Sequence, residues 1–261
     1  MNTLVFDIET VPDIEFGRKL YELEDLDEAS VAKVMFFKQQ QARQTSFLPL
    51  PQHRVLVISA VLSSRDDLHI FSLGDADSTE KDIVQRFFDG LERYSPELVS
   101  WNGSGFDLPV LHYRALRHGV NAARYWEIGD DDRDFRFNNY MNRFHWRHID
   151  LMDVLAGYQM GGRASLQHVA QLLGLPGKLG MSGDKVWAYY QQDKLDEIRN
   201  YCETDALNTY LVYLRFQLIR GVFDAPRYSS ELQRLEDKLK HSDQPHLHEF
   251  LDAWVEHRYD G

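Results

Sequence analysis

The segment that most constrains this chain is its opening, MNTLVFDIET. Leu4, Val5 and Phe6 read as an apolar strand that runs straight into Asp7 and Glu9. Strand side chains two apart point to the same face, so the two carboxylates sit side by side. Two like charges that close are unfavourable unless a proton or a cation offsets them. The strand therefore predicts a partner elsewhere in the chain, and a metal site is the form of partner that the remaining residues must be tested for.

Composition bounds the answer. The chain has 261 residues, enough for one large domain with a sizeable core. No apolar run approaches the ~18 residues of a membrane span, and the first residues lack the layout of a secretory signal. Cys202 is the single cysteine, which leaves no intramolecular disulfide and no cysteine-rich zinc module. These features predict a cytoplasmic protein with no membrane contact. The formal net charge of -12 argues against broad coating of a nucleic-acid duplex. It leaves open an enzyme whose field is reversed locally by bound cations.

The pattern predicts an α/β fold: a mixed sheet flanked by helices, with a helical C-terminal half. Residues 1–261 read as a single domain. Thr3–Phe6, His53–Ser64, the stretch DLHIFSLG and LVSWN are the expected strands. Residues 15–45 read as a polar helical insertion beside the first strand. Helices are expected over 79–94, with Ser78 or Thr79 as N-cap, and over 107–118, 150–158, 165–173, 183–191 and 193–220. Two more, near 229–240 and 246–257, close the chain.

Two further stretches supply candidate partners for the opening carboxylates. In SWNGSGFDLPVL a buried strand passes through a turn loosened by Gly103 and Gly105 into a helix that begins near Asp107. An N-cap is the simpler role for Asp107 on this stretch alone; a third carboxylate at a sheet's ligand-binding end is the functional one. In NYCETDALNTY, Tyr201 and Asp205 are four apart in a helical pattern and share one face. A carboxylate on such a partly buried face needs a partner, either a neighbouring donor or a cation.

Together these stretches resemble the DEDD superfamily of 3′–5′ exonucleases, in its tyrosine-bearing branch. FDIET matches the D-x-E motif, Asn102 to Asp107 the N-x-x-x-[FY]-D motif, and Tyr201 to Asp205 the Y-x-x-x-D motif. The order is right and the span is about 200 residues. The chain looks most like the stand-alone bacterial exonucleases related to family B DNA polymerases. The resemblance implies an RNase H-like fold and metal-dependent removal of nucleotides from single-stranded 3′ ends, with DNA favoured, RNA possible and DNA repair as a setting. A catalytically silent nucleic-acid-binding or interaction module of the same fold is the alternative. The intact carboxylate set argues against it.

The resemblance also implies roles. Two divalent ions, Mg²⁺ or Mn²⁺, suit hard carboxylate and water ligands. Asp7, Glu9 and Asp205 are expected to hold one ion, and Asp7 to bridge to a second with Asp107 acting partly through water. Glu9 is also placed near the terminal 3′-hydroxyl. Tyr201 is expected to orient the attacking water, since a phenol with a pKa near about 10 is a poor base at neutral pH. Asn102 and Phe106 are the candidate substrate-binding residues, with Phe106 able to stack on a base or simply to pack.

Other features read as structural. Trp101 ends a buried strand and belongs to the core. Arg143, Arg147 and His148 in NRFHWRH form a basic and aromatic patch that offers phosphate contacts, although an ordinary surface loop is the stronger reading. Lys178 and Lys185 flank a glycine-rich loop placed near the cleft, without Walker spacing. Asp130–Asp132 reads as a solvated acidic loop and the HLH at 246–248 as surface. Cys202 is expected to face away from the site as inert packing.

Overall fold

The computed structural model describes residues 2–74 and 77–257. Its centre is a five-stranded mixed sheet with strand order β3-β2-β1-β4-β5. The strands are β1 (Thr3–Pro12), β2 (His53–Ser63), β3 (Leu68–Ser72), β4 (Glu97–Ser100) and β5 (His148–Asp150). β2 runs antiparallel to β1 and β3, whereas β4 is parallel to β1 and β5. This is the mixed, RNase H-like sheet flanked by helices that the sequence predicts.

β1 extends to Pro12, well past the expected end at Phe6. The long β2 pairs with it along its whole length, Asp7 opposite Ser59, with a register shift between Glu9 and Thr10. The carboxylates therefore sit inside the strand, where pairing fixes their backbone. Alternation divides β1 between two cores. Leu4, Phe6 and Ile8 pack with Phe87, Phe88 and Leu111, while Val5 packs with Leu207, Leu211 and Trp254. Asp7 and Glu9 share the face of Val5.

The helices are α1 (Ile14–Tyr21), α2 (Glu28–Arg43), α3 (Glu80–Tyr94), α4 (Asp107–His118), α5 (Ala123–Trp126), α6 (Leu151–Leu155), α7 (Leu166–Leu172), α8 (Val186–Tyr190), α9 (Leu195–Ile219), α10 (Ala225–Lys240) and α11 (Pro245–His257). α3 and α4 cover one face of the sheet; α9, the longest, covers the other with α10 and α11. Sixteen of its 25 residues are buried, because it is packed on several sides. Thr79 caps α3 in a reciprocal capping box with Asp82.

One expectation is refined and two need correction. The 15–45 insertion is two helices, separated where Glu22 takes a left-handed φ of 55° and Asp27 caps a new start. They close a small core of Val31, Met35 and Leu48. A fifth strand lies in HID, three residues that are too short to show a period. The segment expected as one helix over 150–158 is this strand's end followed by the five-residue α6.

A buried ion-pair network ties the insertion to the rest. The Arg114 guanidinium on α4 donates to Asp13, the N-cap of α1, at 2.6 Å and to Glu80, the first residue of α3, at 2.5 Å. Glu80 also accepts from the Val55 backbone N–H at 2.7 Å. Arg114 is 3% exposed, and without it Glu80 would be left with His118 at 2.7 Å and Asp13 with Arg117 at 3.7 Å as their remaining basic partners. Arg114→Leu is expected to lower unfolding free energy by roughly 3–5 kcal/mol, the range for breaking a buried pair on one side. Urea denaturation checks this, and a loss below about 1 kcal/mol would show that the network contributes little.

Candidate active site

β1 and α9 bring three carboxylates to one point. Asp7, Glu9 and Asp205 each offer an oxygen, and these atoms lie within 4.8 Å of one another. Glu9 and Asp205 are buried and Asp7 is half-buried. The register shift after Glu9 is a local irregularity of the kind that re-aims a side chain beside a site. Tyr201 lies one turn before Asp205 on the same face of α9, and its hydroxyl donates to the Asp205 carboxylate. Asp107 lies outside that tight trio. It is nevertheless the charged group that Asp7 feels most strongly.

Asp107 is the first residue of α4, not its cap; Phe106 holds the cap position. The turn before it is built differently from the sequence expectation. Asn102, not a glycine, takes the left-handed backbone, with φ 66°, a region asparagine tolerates. Gly103 is needed for space, because a Cβ there would strike the Ser100 hydroxyl. Asp150 at the end of β5 fastens this turn, accepting from the Asn102 and Ser104 backbone N–H groups at 2.9 Å each. Asp150 was not singled out from the sequence. Its signal is the stretch HID followed by a helix start, where an aspartate caps α6 and is available to a neighbouring loop.

The electrostatics follow from burial. Asp7 and Glu9 are both held well above the usual carboxylate range, first by desolvation and then by their acidic neighbours. Burial pushes Asp107 up to about 7. It pushes Asp205 up to about 6, against the stabilising hydrogen bond from Tyr201 and the positive charge of Lys178. The Tyr201 phenol is itself raised, by burial and then by Asp205 and Glu9. It keeps its proton at any working pH and acts as a donor rather than a base.

The donor set fits hard divalent cations. All its atoms are carboxylate oxygens, with no histidine or thiolate among the three that converge. Asp205 Oδ1 is buried and has no hydrogen-bond partner. A buried carboxylate oxygen without a partner is costly, and a cation is the partner that this surrounding lacks. Lys178 is exposed, with its ammonium 5.8 Å from the Tyr201 ring centre. Its loop is pinned by Asn208, which both accepts from the Gly177 N–H and donates to the Gly177 carbonyl at 3.0 Å.

Comparison with known proteins bears on this site. Residues 45–254 match the family described as predicted 3′–5′ exonucleases related to the exonuclease domain of PolB. The chain belongs to this exonuclease family. It is 26% identical over 168 residues to a DNA polymerase of Archaeoglobus fulgidus, covering 63% of this chain and 20% of that protein. It is 28% identical over 140 residues to the catalytic subunit of DNA polymerase epsilon from Dictyostelium discoideum, covering 52% of this chain and 6% of that protein. The chain thus spans a fifth or less of these curated relatives. A family B DNA polymerase structure from Pyrobaculum calidifontis aligns with 80% of this chain and 24% of its own, at a TM-score of 0.46 and 17% identity. Membership of this exonuclease family implies dependence on a divalent metal, and Asp7, Glu9 and Asp205 are an acidic cluster able to bind one.

Beside the turn at residues 102–107 stand three rings. Phe106, half-buried, lies 5.1 Å from His53 and 5.4 Å from Phe47, which is 54% exposed. His53 hydrogen-bonds to Thr10, the residue after Glu9, at 2.8 Å. Phe47 was not singled out from sequence; it lies in a stretch with no period.

Other expectations resolve against function. Arg143 pairs with Asp153 at 2.8 Å, and Arg147 is buried with its guanidinium 4.0 Å over the Phe135 ring. His148 is buried against the Ser100 hydroxyl. Arg147 and His148 are therefore committed inside the protein, while Asn142, Arg143, Phe144 and Trp146 stay exposed. Trp101 packs, half-buried, against the α9-side core. Asp132 pairs with Arg124 at 3.1 Å. Two readings were wrong. His246 is not a surface feature: it is 10% exposed by side chain and contacts Glu203 at 2.8 Å. Cys202 does not face away, and its sulfur lies 3.5 Å from Asp7 Oδ2.

The raised acids make a signed prediction for the metal-free protein. A carboxyl with a higher pKa folded than unfolded contributes stability below its unfolded value, and that contribution is lost as pH rises through the folded one. For Asp107 the window runs from 3.8 to about 7. In EDTA, Asp107→Asn should therefore be more stable than wild type above pH 7, by on the order of 1–3 kcal/mol, and the gap should close toward pH 4. Urea denaturation at several pH values measures the gap. A constant difference across that window would contradict the assignment.

Proposed function

We propose that this chain is a metal-dependent 3′–5′ exonuclease that releases nucleotides from the 3′ end of single-stranded nucleic acid. The observation that carries the reading is the meeting of Asp7, Glu9 and Asp205 oxygens within 4.8 Å, in a member of this family. Asp107 beside them and the Tyr201 phenol on Asp205 support it. DNA is favoured over RNA because the curated relatives are named as DNA polymerases.

Asp7, Glu9 and Asp205 would hold one Mg²⁺ or Mn²⁺ ion, and Asp7 with Asp107 a second. Bound there, such a pair supplies an activated water and steadies the leaving 3′-oxygen in an in-line displacement. The chain's own groups do the rest. Tyr201 donates its hydrogen to Asp205, which leaves the phenol oxygen free to accept from the attacking water and aim it. Glu9 can also accept from the terminal 3′-hydroxyl. Phe106, extended by the exposed Phe47, offers a ring surface for the terminal base. Asn102 shapes the turn that presents Phe106 and Asp107. Lys178 provides a positive charge at the mouth for the phosphate.

Polarity is tested with DNA and RNA oligomers labelled at the 5′ end, with Mg²⁺ or Mn²⁺ and with EDTA. Successive shortening from the 3′ end is expected only with metal. A 3′-phosphate should suppress it, since the terminal hydroxyl is part of what the site reads. Equal degradation of blocked and free oligomers would overturn the polarity.

A second test separates ion holding from water positioning. Asp7→Asn and Asp205→Asn should be nearly inactive, with weakened Mn²⁺ binding. Tyr201→Phe should bind Mn²⁺ close to wild type and be slower by about 10- to 10⁴-fold. If Tyr201→Phe loses metal as fully as Asp205→Asn, or keeps the full rate, the tyrosine's role is wrong; wild-type activity in Asp7→Asn would sink the exonuclease reading.

A further inference from the structure

Asp7 stands among three other carboxylates, and repulsion alone would swing its side chain aside. What opposes this is a thiol. Cys202 Sγ lies 3.4 Å from the Asp7 carbonyl oxygen and 3.5 Å from Asp7 Oδ2, within reach of both with its single hydrogen. The residue is fully buried. It precedes Asp205 by three positions on α9, so one helix face carries both the ligand and the group that touches the other ligand.

Behind the sulfur runs a line of polar side chains. Ser59, opposite Asp7 on β2, is fully buried beside Cys202. Its hydroxyl lies 2.8 Å from that of Ser72. The Ser72 hydroxyl donates to Glu203 Oε1 at 2.7 Å, and His246 Nε2 lies 2.8 Å from Glu203 Oε2. A carboxylate only accepts, so the Ser72 hydrogen goes to Glu203 and Ser72 accepts the hydrogen of Ser59. With its hydrogen committed to Ser72, Ser59 offers the sulfur no donor, and the thiol directs its own hydrogen at Asp7. The line reaches α11 through His246.

We propose that Cys202 is a positioning residue of the metal site: its thiol holds Asp7 in the conformer that lets its carboxylate meet those of Glu9 and Asp205. The inference rests on the metal-binding reading of the site. Groups that hold metal ligands in place are typically worth about 10–100-fold in metal affinity or activity.

The test is Mn²⁺ binding by calorimetry on the full chain, without substrate, for wild type, Cys202→Ala, Cys202→Val, Cys202→Ser and Ser59→Ala. Cys202→Ala should bind Mn²⁺ about 10-fold more weakly or worse. Cys202→Ser restores a donor in nearly the same volume and should recover to within about 3-fold of wild type. Ser59→Ala leaves the thiol facing Asp7 and should stay within about 3-fold of wild type, while Cys202→Val, also without a donor, carries the test if Cys202→Ala does not fold. Steady-state rates should show Cys202→Ala losing kcat with little change in KM for the oligomer. Wild-type Mn²⁺ affinity in Cys202→Ala, or in Cys202→Val where it stands alone, overturns the inference while leaving the metal site standing. Equal losses in Cys202→Ala and Cys202→Ser overturn it in favour of simple packing. Absence of Mn²⁺ binding by the wild type overturns the metal reading and this inference with it.

Discussion

Mutual repulsion among Asp7, Glu9, Asp107 and Asp205 is the constraint around which this fold is arranged. Four acids from β1, the start of α4 and the middle of α9 face one small volume, and burial raises each of them. An isolated strand would not keep Asp7 and Glu9 there. The long β2 does, because its pairing with β1 runs from Thr3 to Pro12 and leaves the backbone no freedom to turn the acids outward. The opposing face of the same strand buries Leu4, Phe6 and Ile8 against α3 and α4, so a slip in register would put apolar groups in the site and charge in the core. The tension in the site is thus balanced by apolar burial on the strand's other side.

The same logic explains why α9 is long and buried. Its middle must carry Tyr201, Cys202 and Asp205 at a fixed height over β1. Contacts further along, Leu207, Leu211 and Leu214, anchor it in the core with α10 and α11. Asn208, three residues past Asp205, reaches the other way and pins the loop of Lys178. One helix thereby sets the spacing of Asp205, the Tyr201 phenol and the loop of Lys178. The turn before Asp107 is held separately, by Asp150 at the end of β5. β5 is only three residues long, yet without it the turn carrying Asp107 would lack its anchor.

Much of this was legible in the sequence, and the boundary has a physical form. Alternation in β1 and β2 and the helical period of α3, α4 and α9 are local, and each was readable from its own residues. Asp7, Glu9, Asp107, Tyr201 and Asp205 came forward as a candidate set through the resemblance of three ordered stretches to a known exonuclease family. What escaped depends on contacts between distant segments. Cys202 looked inert since nothing in NYCETD says which strand residue lies under it; Asp7 does, 195 positions away. His246 looked exposed because its partner Glu203 is 43 positions away. HID was too short to carry a period. In NRFHWRH the arginines resembled a phosphate patch only because Asp153 and the Phe135 ring lie outside the stretch.

The handling of a polyanion by a chain of net charge -12 also follows from where its cations are spent. Arg114 neutralises Asp13 and Glu80, Arg143 and Arg163 share Asp153, and Arg147 lies over an aromatic ring inside the fold. Those charges hold the scaffold together and are not offered to a phosphate backbone. At the acidic cluster itself the positive charge comes from Lys178, which stabilises ionised Glu9 and Asp205, and from whatever cations the carboxylates bind. In the proposed reaction the grip on substrate is then confined to the last nucleotides, by ions at the phosphate and rings at the base. A long basic track would hold duplex and single strand alike, because backbone charge carries most non-specific affinity. A short, ion-dependent grip instead favours an end that can be drawn away from its neighbours, which an unpaired 3′ terminus supplies at the least cost in lost stacking and pairing.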